Sequence, residues 1–529
     1  MPQPTLLIGG GIAAIVAALD LLDRSLPVTL IDRDHEAAFG GLAQWSFGGF
    51  FIVDSLQQRK LGIQDSPALA LSDWLATARF APHDHWPRQW AEAYVSGCRT
   101  QVYDWLTAKG LTFLPAVQWI ERGMYGPGNS VPRFHMVWGL GRGLIDTLKH
   151  RLLNHPNRSL LTLRFDARVT GLVQSGGKVT GVKGVGEKDG QAFEVQGAQV
   201  VLACGGLTGD LEVMRTHWNP DFGSFPPNLL SGTHPFADGS AHRLVAEANG
   251  QVTYPERQWC YAGGVTHPDA RFAWHGLSLV PPKSALWLNA RGERIGPVPL
   301  VSGFDTRFMV EQVSRQPEPW SWHIMNRKIA VKEMAVSGSQ FNEALVKADK
   351  AAFVKTLLFG NPGLVDELVA RCPDFLTAAT LPELAEKMNA LEPGAFVDPA
   401  VLEATVRRWD AQVQLPAKFQ NDDQLRRIDH ARQYLGDRLR TCARQPILDP
   451  KAGPLLAVRM RLLVRKTLGG IVTDLDCRVL DAGGEPIPGL YAIGEAAGYG
   501  GGGVHGHGAL EGTFLGGCVF TARRLAAAL

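Results

Sequence analysis

The first thirty residues constrain this chain more than any other stretch. Thr5-Leu-Leu-Ile8 reads as a short apolar strand, Ile12 to Leu22 as an alanine-rich helix, and Val28-Thr-Leu-Ile-Asp32 as a second strand. Between the first strand and the helix lies Gly9-x-Gly11-x-x-Ala14. Gly9 permits the turn, Gly11 lets backbone approach a pyrophosphate, and Ala14 lets the helix pack closely. The helix start, with Ile12 and Ala13, offers N–H groups and a positive dipole end to an anion. Asp32, about 20 residues on, is placed to accept from ribose hydroxyls, with Arg33 beside it. The pattern predicts a dinucleotide-binding βαβ unit.

Composition narrows the rest. A chain of 529 residues, 45% hydrophobic and 20% charged, needs more than one core, so two domains are expected. A net charge of +2 without a dense basic run gives no electrostatic reason for nucleic acid or an anionic membrane as partner; a small molecule is the default. The seven cysteines are scattered without a C-x-x-C pair or haem attachment site, and read as reduced and structural. The apolar opening lacks a basic leader and is broken by glycines, and no other stretch is long and apolar enough to span a bilayer, so a cytoplasmic protein is expected.

Three later segments bear on which dinucleotide is bound. Gly40-Gly41-Leu-Ala-Gln44-Trp-Ser46-Phe-Gly48-Gly49 is a glycine-rich loop. Val200-Val-Leu-Ala203-Cys204-Gly205-Gly206 is an apolar strand ending in a glycine pair. Ile487-Pro-Gly-Leu-Tyr491-Ala-Ile-Gly494-Glu495-Ala-Ala-Gly498 is followed by a glycine run and a helix from about Leu510. Together these resemble the FAD-dependent family of succinate dehydrogenase and fumarate reductase flavoproteins and 3-ketosteroid dehydrogenases, with the 3-ketosteroid dehydrogenase-like group nearest. The match runs nearly end to end.

The resemblance implies an α/β fold: a Rossmann-like FAD-binding domain with a parallel sheet and a β-meander, interrupted by an inserted α+β cap. The meander falls at Asp166 to Ala198, and its Val169 is expected among the FAD-binding residues. The FAD domain is expected at 1–256 and 455–529, and the cap at 257–454. Helices are expected at His242 to Ala248, after Thr380, at Gln340 to Leu358 and at Pro399 to Val413, with a strand-turn-strand at Leu286 to Arg294. FAD would lie along Gly40 to Gly49, held non-covalently because that segment has no histidine for attachment. Glu495 would bind the ribitol. The final helix, with Gly512, Thr513 and Leu515 at its start, would aim its N-terminus at the isoalloxazine.

A hydride exchange with carbon also needs an acid or base and a group that polarises a carbonyl or carboxylate. His505, His507 and Glu511 precede the closing helix, Tyr125 sits in a loop whose position resembles the family's substrate side, and Arg307 is the cap cation of interest. His505 and His507 could equally stabilise the loop, Glu511 could cap the helix, Tyr125 could be a buried hydroxyl and Arg307 a surface ion pair. No further ligand cluster accompanies the histidines, so no metal is expected. The arginine with which fumarate reductases grip a dicarboxylate is absent from this segment, and Gly508 stands where 3-ketosteroid dehydrogenases carry a tyrosine. Dehydrogenation of a 3-ketosteroid-like ketone is the leading expectation, with an external electron acceptor. A reductase of an unsaturated acid with an external donor, and a flavin-binding sensor without turnover, are the alternatives.

Overall fold

The computed structural model describes residues Pro2–Leu529. The chain divides into two compact units. The first comprises the residues up to Asn219, Thr233–Trp259 and Lys466–Leu529; the second comprises Pro220–Gly232 and Cys260–Arg465.

The first unit is built on β1 (Thr5–Ile8), α1 (Ile12–Asp23) and β2 (Val28–Ile31). Both strands are apolar and buried throughout, as strands covered on both faces must be. They join β3 (Leu161–Arg164), β7 (Gln199–Leu202) and β9 (Pro486–Ala492) in a parallel sheet, edged by antiparallel β8 (Arg478–Leu480), in the order β8-β9-β7-β1-β2-β3. Between β3 and β7 runs the antiparallel meander β4 (Ala167–Ser175), β5 (Lys178–Gly186) and β6 (Ala192–Gln196).

Ten of the twelve residues of α1 are buried, because the helix lies against the sheet on one side and against α2, the closing helix Thr513–Ala528, on the other. Each buried leucine of α1 contributes roughly 1.5–3 kcal/mol. A carboxylate in place of the fully buried Ala17 would have no partner and would cost far more than the methyl it replaces.

The second unit is an antiparallel sheet centred on Leu455–Thr467, flanked by Trp320–Asn326 and Gln258–Thr266, with helices around it. The sequence placed the return to the first unit at 455, whereas the compact unit persists to Arg465. The reason is one unbroken strand: Leu455–Arg461 pair with Trp320–Asn326, and Leu463 and Val464 pair with Leu230 and Ser231, which draws 220–232 into the same unit.

Local chemistry explains other differences. The helix expected over 340–358 is two, Glu343–Val346 and Lys350–Phe359, because Ala348 takes a φ of +52° and Asp349 caps the second. The closing helix starts at Thr513 rather than Leu510 because Gly512 has a φ of +94°. The strand-turn-strand keeps only Leu286–Asn289, its return reduced to a bridge between Leu288 and Arg294. Among the described residues no helix is long and apolar enough to cross a membrane.

Candidate active site

The glycines after β1 do different work. Gly9 has a φ of +108°, and a Cβ there would lie 2.5 Å from the Ala203 carbonyl oxygen. Gly11 caps α1 with an ordinary φ of −78°, and a Cβ added to it would meet nothing within 4 Å. Open space therefore lies in front of the first turn of α1, formed by Ile12, Ala13 and Ala14, whose leading N–H groups have no side-chain cap. The loop 40–49 forms a wall. Gly40 N–H donates to Gly10 O at 3.0 Å, and Gly41 stacks on the Gly11 backbone. The buried Gln44 side chain donates to Gly41 O at 3.0 Å, and Ser46 Oγ donates to Ala43 O at 2.7 Å and accepts from Gly48 N–H at 3.1 Å. Gly49 lies against the Phe134 ring.

Asp32 follows β2 with its carboxylate over Gly10, and burial holds its carboxyl above the usual carboxylate range. Arg33, counted among the cofactor residues from sequence, instead donates to Glu187 at 2.5 Å and Asp238 at 2.8 Å and covers the Phe236 ring. Two carboxylates from neighbouring turns claim this guanidinium. Val169 pairs with Gly184 in the meander and packs in the core with Ala241 and Leu244. Ala203 continues β7 through a hydrogen bond to Ile8 O at 2.8 Å, Gly205 turns the chain with a φ of +79°, and Gly206 O accepts from Gly239 N–H at 3.1 Å. Burial pushes the Cys204 thiol up to about 12, which fits packing rather than reactivity.

The chain's far end meets this cradle. A Cβ on Gly494 would lie 3.0 Å from the Ala13 Cβ, so the closing motif sits on the first turn of α1. Gly494 N–H donates to Thr521 Oγ1 at 3.0 Å, and Glu495 Oε1 accepts from Thr467 N–H at 2.9 Å. At the start of α2, Gly512 provides no side-chain cap and Leu515 is half-buried. A flavin dinucleotide fits these features: an open, uncapped helix start for the pyrophosphate, an acid at the second strand end for ribose, and a second uncapped helix start for a ring that gains negative charge.

The segment before α2 separates its two histidines. His505 is fully buried, stacked on Trp74 at 5.8 Å and boxed by Tyr499 and Phe514. Thr513 Oγ1 gives its proton to Leu510 O at 2.5 Å, so it accepts from His505 Nε2–H at 2.8 Å. Burial and the Lys466 charge lower His505 to about 3, and the neutral ring fastens the loop to the helix. His507 is only half-buried. Its N–H donates to Ala78 O at 2.8 Å, and its Nε2 lies 3.2 Å from Arg257 Nη2. Glu511 Oε1 accepts from Trp259 Nε1–H at 2.9 Å.

Residues 254–259 are what sequence reasoning missed. Tyr254, at a φ of +56°, lays its ring 3.3 Å from the Arg257 Cζ and donates its hydroxyl to Asp84. Burial and Asp84 push the Tyr254 hydroxyl up to about 12. The available signal was only the position of Arg257, heading the polar-to-apolar run Arg257-Gln-Trp-Cys at the expected domain border.

Two expected residues go elsewhere. Tyr125 is 70% exposed at a φ of 139°, in a loop of glycines and a proline that leaves its ring outside the core. Arg307, in the second unit, is paired with Asp221 at 2.5 Å and Glu311 at 2.8 Å, so its charge is already neutralised within that unit.

Residues 5–515 match the family described as FAD binding domain. The chain is 43% identical to a KsdD-like steroid dehydrogenase of Mycobacterium tuberculosis, over 98% of this chain and 94% of the relative. Among solved structures, a 3-ketosteroid delta1-dehydrogenase from Sterolibacterium denitrificans in complex with 1,4-androstadiene-3,17-dione is similar with a TM-score of 0.72 at 18% identity, over 99% of each chain. A flavocytochrome c3 fumarate reductase in its open conformation is similar with a TM-score of 0.68 at 20% identity, over all of this chain and 78% of that one. These two likenesses speak to the fold. The chain belongs to the FAD-binding-domain family and is an FAD-dependent oxidoreductase.

Proposed function

We propose that the protein dehydrogenates the α,β carbon pair of a ketone of the 3-ketosteroid class. The observation that carries this reading is the 43% identity, along nearly the whole of both chains, to a relative named a KsdD-like steroid dehydrogenase. Bound FAD supplies the hydride acceptor. The chain holds it non-covalently: Gly9, Gly11 and the start of α1 take the pyrophosphate, Asp32 the ribose, Glu495 the ribitol, and the start of α2 faces the ring. His505 positions the loop before α2, and His507 and Glu511 stand on the substrate side. Seven unpaired cysteines favour work in the reducing cytoplasm.

Reduction of an unsaturated acid is the weaker reading, since the closing segment carries the buried Ala509 where the gripping arginine would stand. Likeness to a dehydrogenase throughout leaves a sensor without turnover unsupported. The test is anaerobic visible absorbance of the holoprotein titrated with 3-ketosteroids. Bleaching of the oxidised-flavin band is expected; no bleaching, with the reduced protein reoxidised only by an unsaturated acid, overturns the proposal.

A further inference from the structure

We infer that the outer face of the helix Lys350–Phe359, in the second unit, is a docking surface for an anionic lipid bilayer, on which the protein rests reversibly. A steroid-like ketone partitions into such a bilayer, and that link rests on the function proposed above; the surface itself does not.

This ten-residue helix, Lys-Ala-Ala-Phe-Val-Lys-Thr-Leu-Leu-Phe, carries apolar residues all round, and such a helix is ordinarily buried. Here none of its residues is buried. Ala352, Phe353, Thr356 and Leu357 form its half-buried side, with the helix Leu435–Arg440 packed alongside. Lys350, Ala351, Val354, Lys355, Leu358 and Phe359, in two rows at i, i+4 and i+8, form the outer face. Val354 is 50%, Leu358 49% and Phe359 72% exposed, and the half-exposed Leu435 of the neighbouring helix adds to the apolar surface.

The helix is pinned at both ends, so its exposure is not the fraying of a loose segment. At its start Asp349 accepts from Ala352 N–H at 3.0 Å. At its end Lys332 Nζ donates to Leu358 O at 2.8 Å, and Asn361 N–H donates to Val331 O at 2.8 Å. Charge then identifies what the face meets. It holds two lysines and no acid, and among the described residues neither Lys350 nor Lys355 is in an ion pair. Lys328, Lys332 and Lys347 lie in the same stretch of sequence, whose acids are already spent: Glu333 accepts from Ser284 and Cys442 N–H, Glu343 pairs with Lys347, and Asp349 caps the helix. The net charge of +2 over the whole chain conceals this local excess.

Anionic headgroups attract the lysines while the apolar side chains between them enter the boundary of the acyl region, with the lysine stems lying along the apolar surface. A second copy of the chain fits less well, since a two-fold contact lays the face on itself, lysine against lysine. Phe396 supplies the contrast. It is 66% exposed in the same unit, but Glu392, Asp398 and Glu403 stand around it in the sequence, and an anionic surface repels them. The short apolar reach and small number of lysines make the attachment reversible.

The experiment is co-sedimentation of the FAD-loaded protein with vesicles. Binding is expected to vesicles of phosphatidylcholine and phosphatidylglycerol in equal parts; it should be at least about fivefold weaker to phosphatidylcholine alone and should fall as salt is raised. Leu358→Ser with Phe359→Ser, and separately Lys350→Glu with Lys355→Glu, should each weaken binding to the mixed vesicles about tenfold with the flavin spectrum unchanged, whereas Phe396→Ser should leave binding as it is. The two pairs of substitutions probe one face by different chemistry, so misfolding of one leaves the other to decide. No binding to the mixed vesicles, equal binding to both kinds, or an equal loss in Phe396→Ser overturns the inference. So does a concentration-dependent dimer, seen by analytical ultracentrifugation, that both paired variants abolish. The assay contains no ketosteroid, so failure of the proposed activity and failure of this surface are read separately.

Discussion

Gly9 and Gly11 separate the needs of the fold from those of the ligand. Gly11→Ala adds a methyl at an ordinary φ with no neighbour within 4 Å, so the apoprotein should keep its thermal midpoint while FAD affinity, measured by fluorescence titration, falls more than about tenfold. Gly9→Ala, at a φ of +108° and against Ala203 O, should lower the midpoint of the apoprotein itself. Asp32 shows the opposite trade. Burial raises its folded value above the ordinary 3.8, so its contribution to apoprotein stability is present below that value and is lost as pH rises through the higher folded one. Asp32→Asn should therefore stabilise the apoprotein at neutral pH and weaken FAD binding, as seen by melting with and without FAD. Both glycines and Asp32 were legible in the sequence because their roles follow from spacing beside a strand and a helix. The split between His505 and His507 was not, since it depends on Trp74, Tyr499 and Arg257, which reach them only through the tertiary fold.

At the scale of elements, the closing helix α2 organises the cradle from behind. Thr521 Oγ1, on its second half, donates to Gly517 O at 2.7 Å and accepts from Gly494 N–H, so the helix holds the turn that carries Glu495. Thr521→Val keeps the shape but leaves a buried N–H unpaired, and should cost about 1–3 kcal/mol in chemical denaturation and loosen FAD. A fall in stability with unchanged FAD affinity would show that the turn is held by other contacts. β1 and β2 were readable as continuous apolar runs; the helices expected after Thr380 and over 399–413 are Leu381–Leu391 and Pro399–Gln414, and the structure shows Thr380 and Asp398 capping them. Ends set by a single backbone angle, at Gly512 and Ala348, differ from the expected ones.

Across the whole molecule, burial of neutral histidines sets the response to acid. His135 and His242 are lowered to about 4, and His323 and His505 to about 3, by burial, from an ordinary value of 6.5. Their stability contribution is present above 6.5 and is lost as pH falls, because the unfolded chain takes up protons that the folded one refuses. Burial lowers His267 to about 4 and His275 to about 3 as well, so the thermal midpoint should drop steadily below pH 6.5, with unfolding near pH 5 taking up about six protons; a flat midpoint down to pH 5 would overturn this. The sequence alone determined the dinucleotide-binding βαβ unit, because a pyrophosphate turn is a local object written in a few consecutive residues; that the dinucleotide is FAD followed from the resemblance carried by the three later segments. Only the tertiary structure decided that the 494–498 turn rests on Ala13, that Arg307 and Arg33 are neutralised by carboxylates, and that Tyr254 and Arg257 stand beside His507. Those pairings join residues up to several hundred positions apart, and burial, which sets charge and tautomer, exists only once the chain has closed around them.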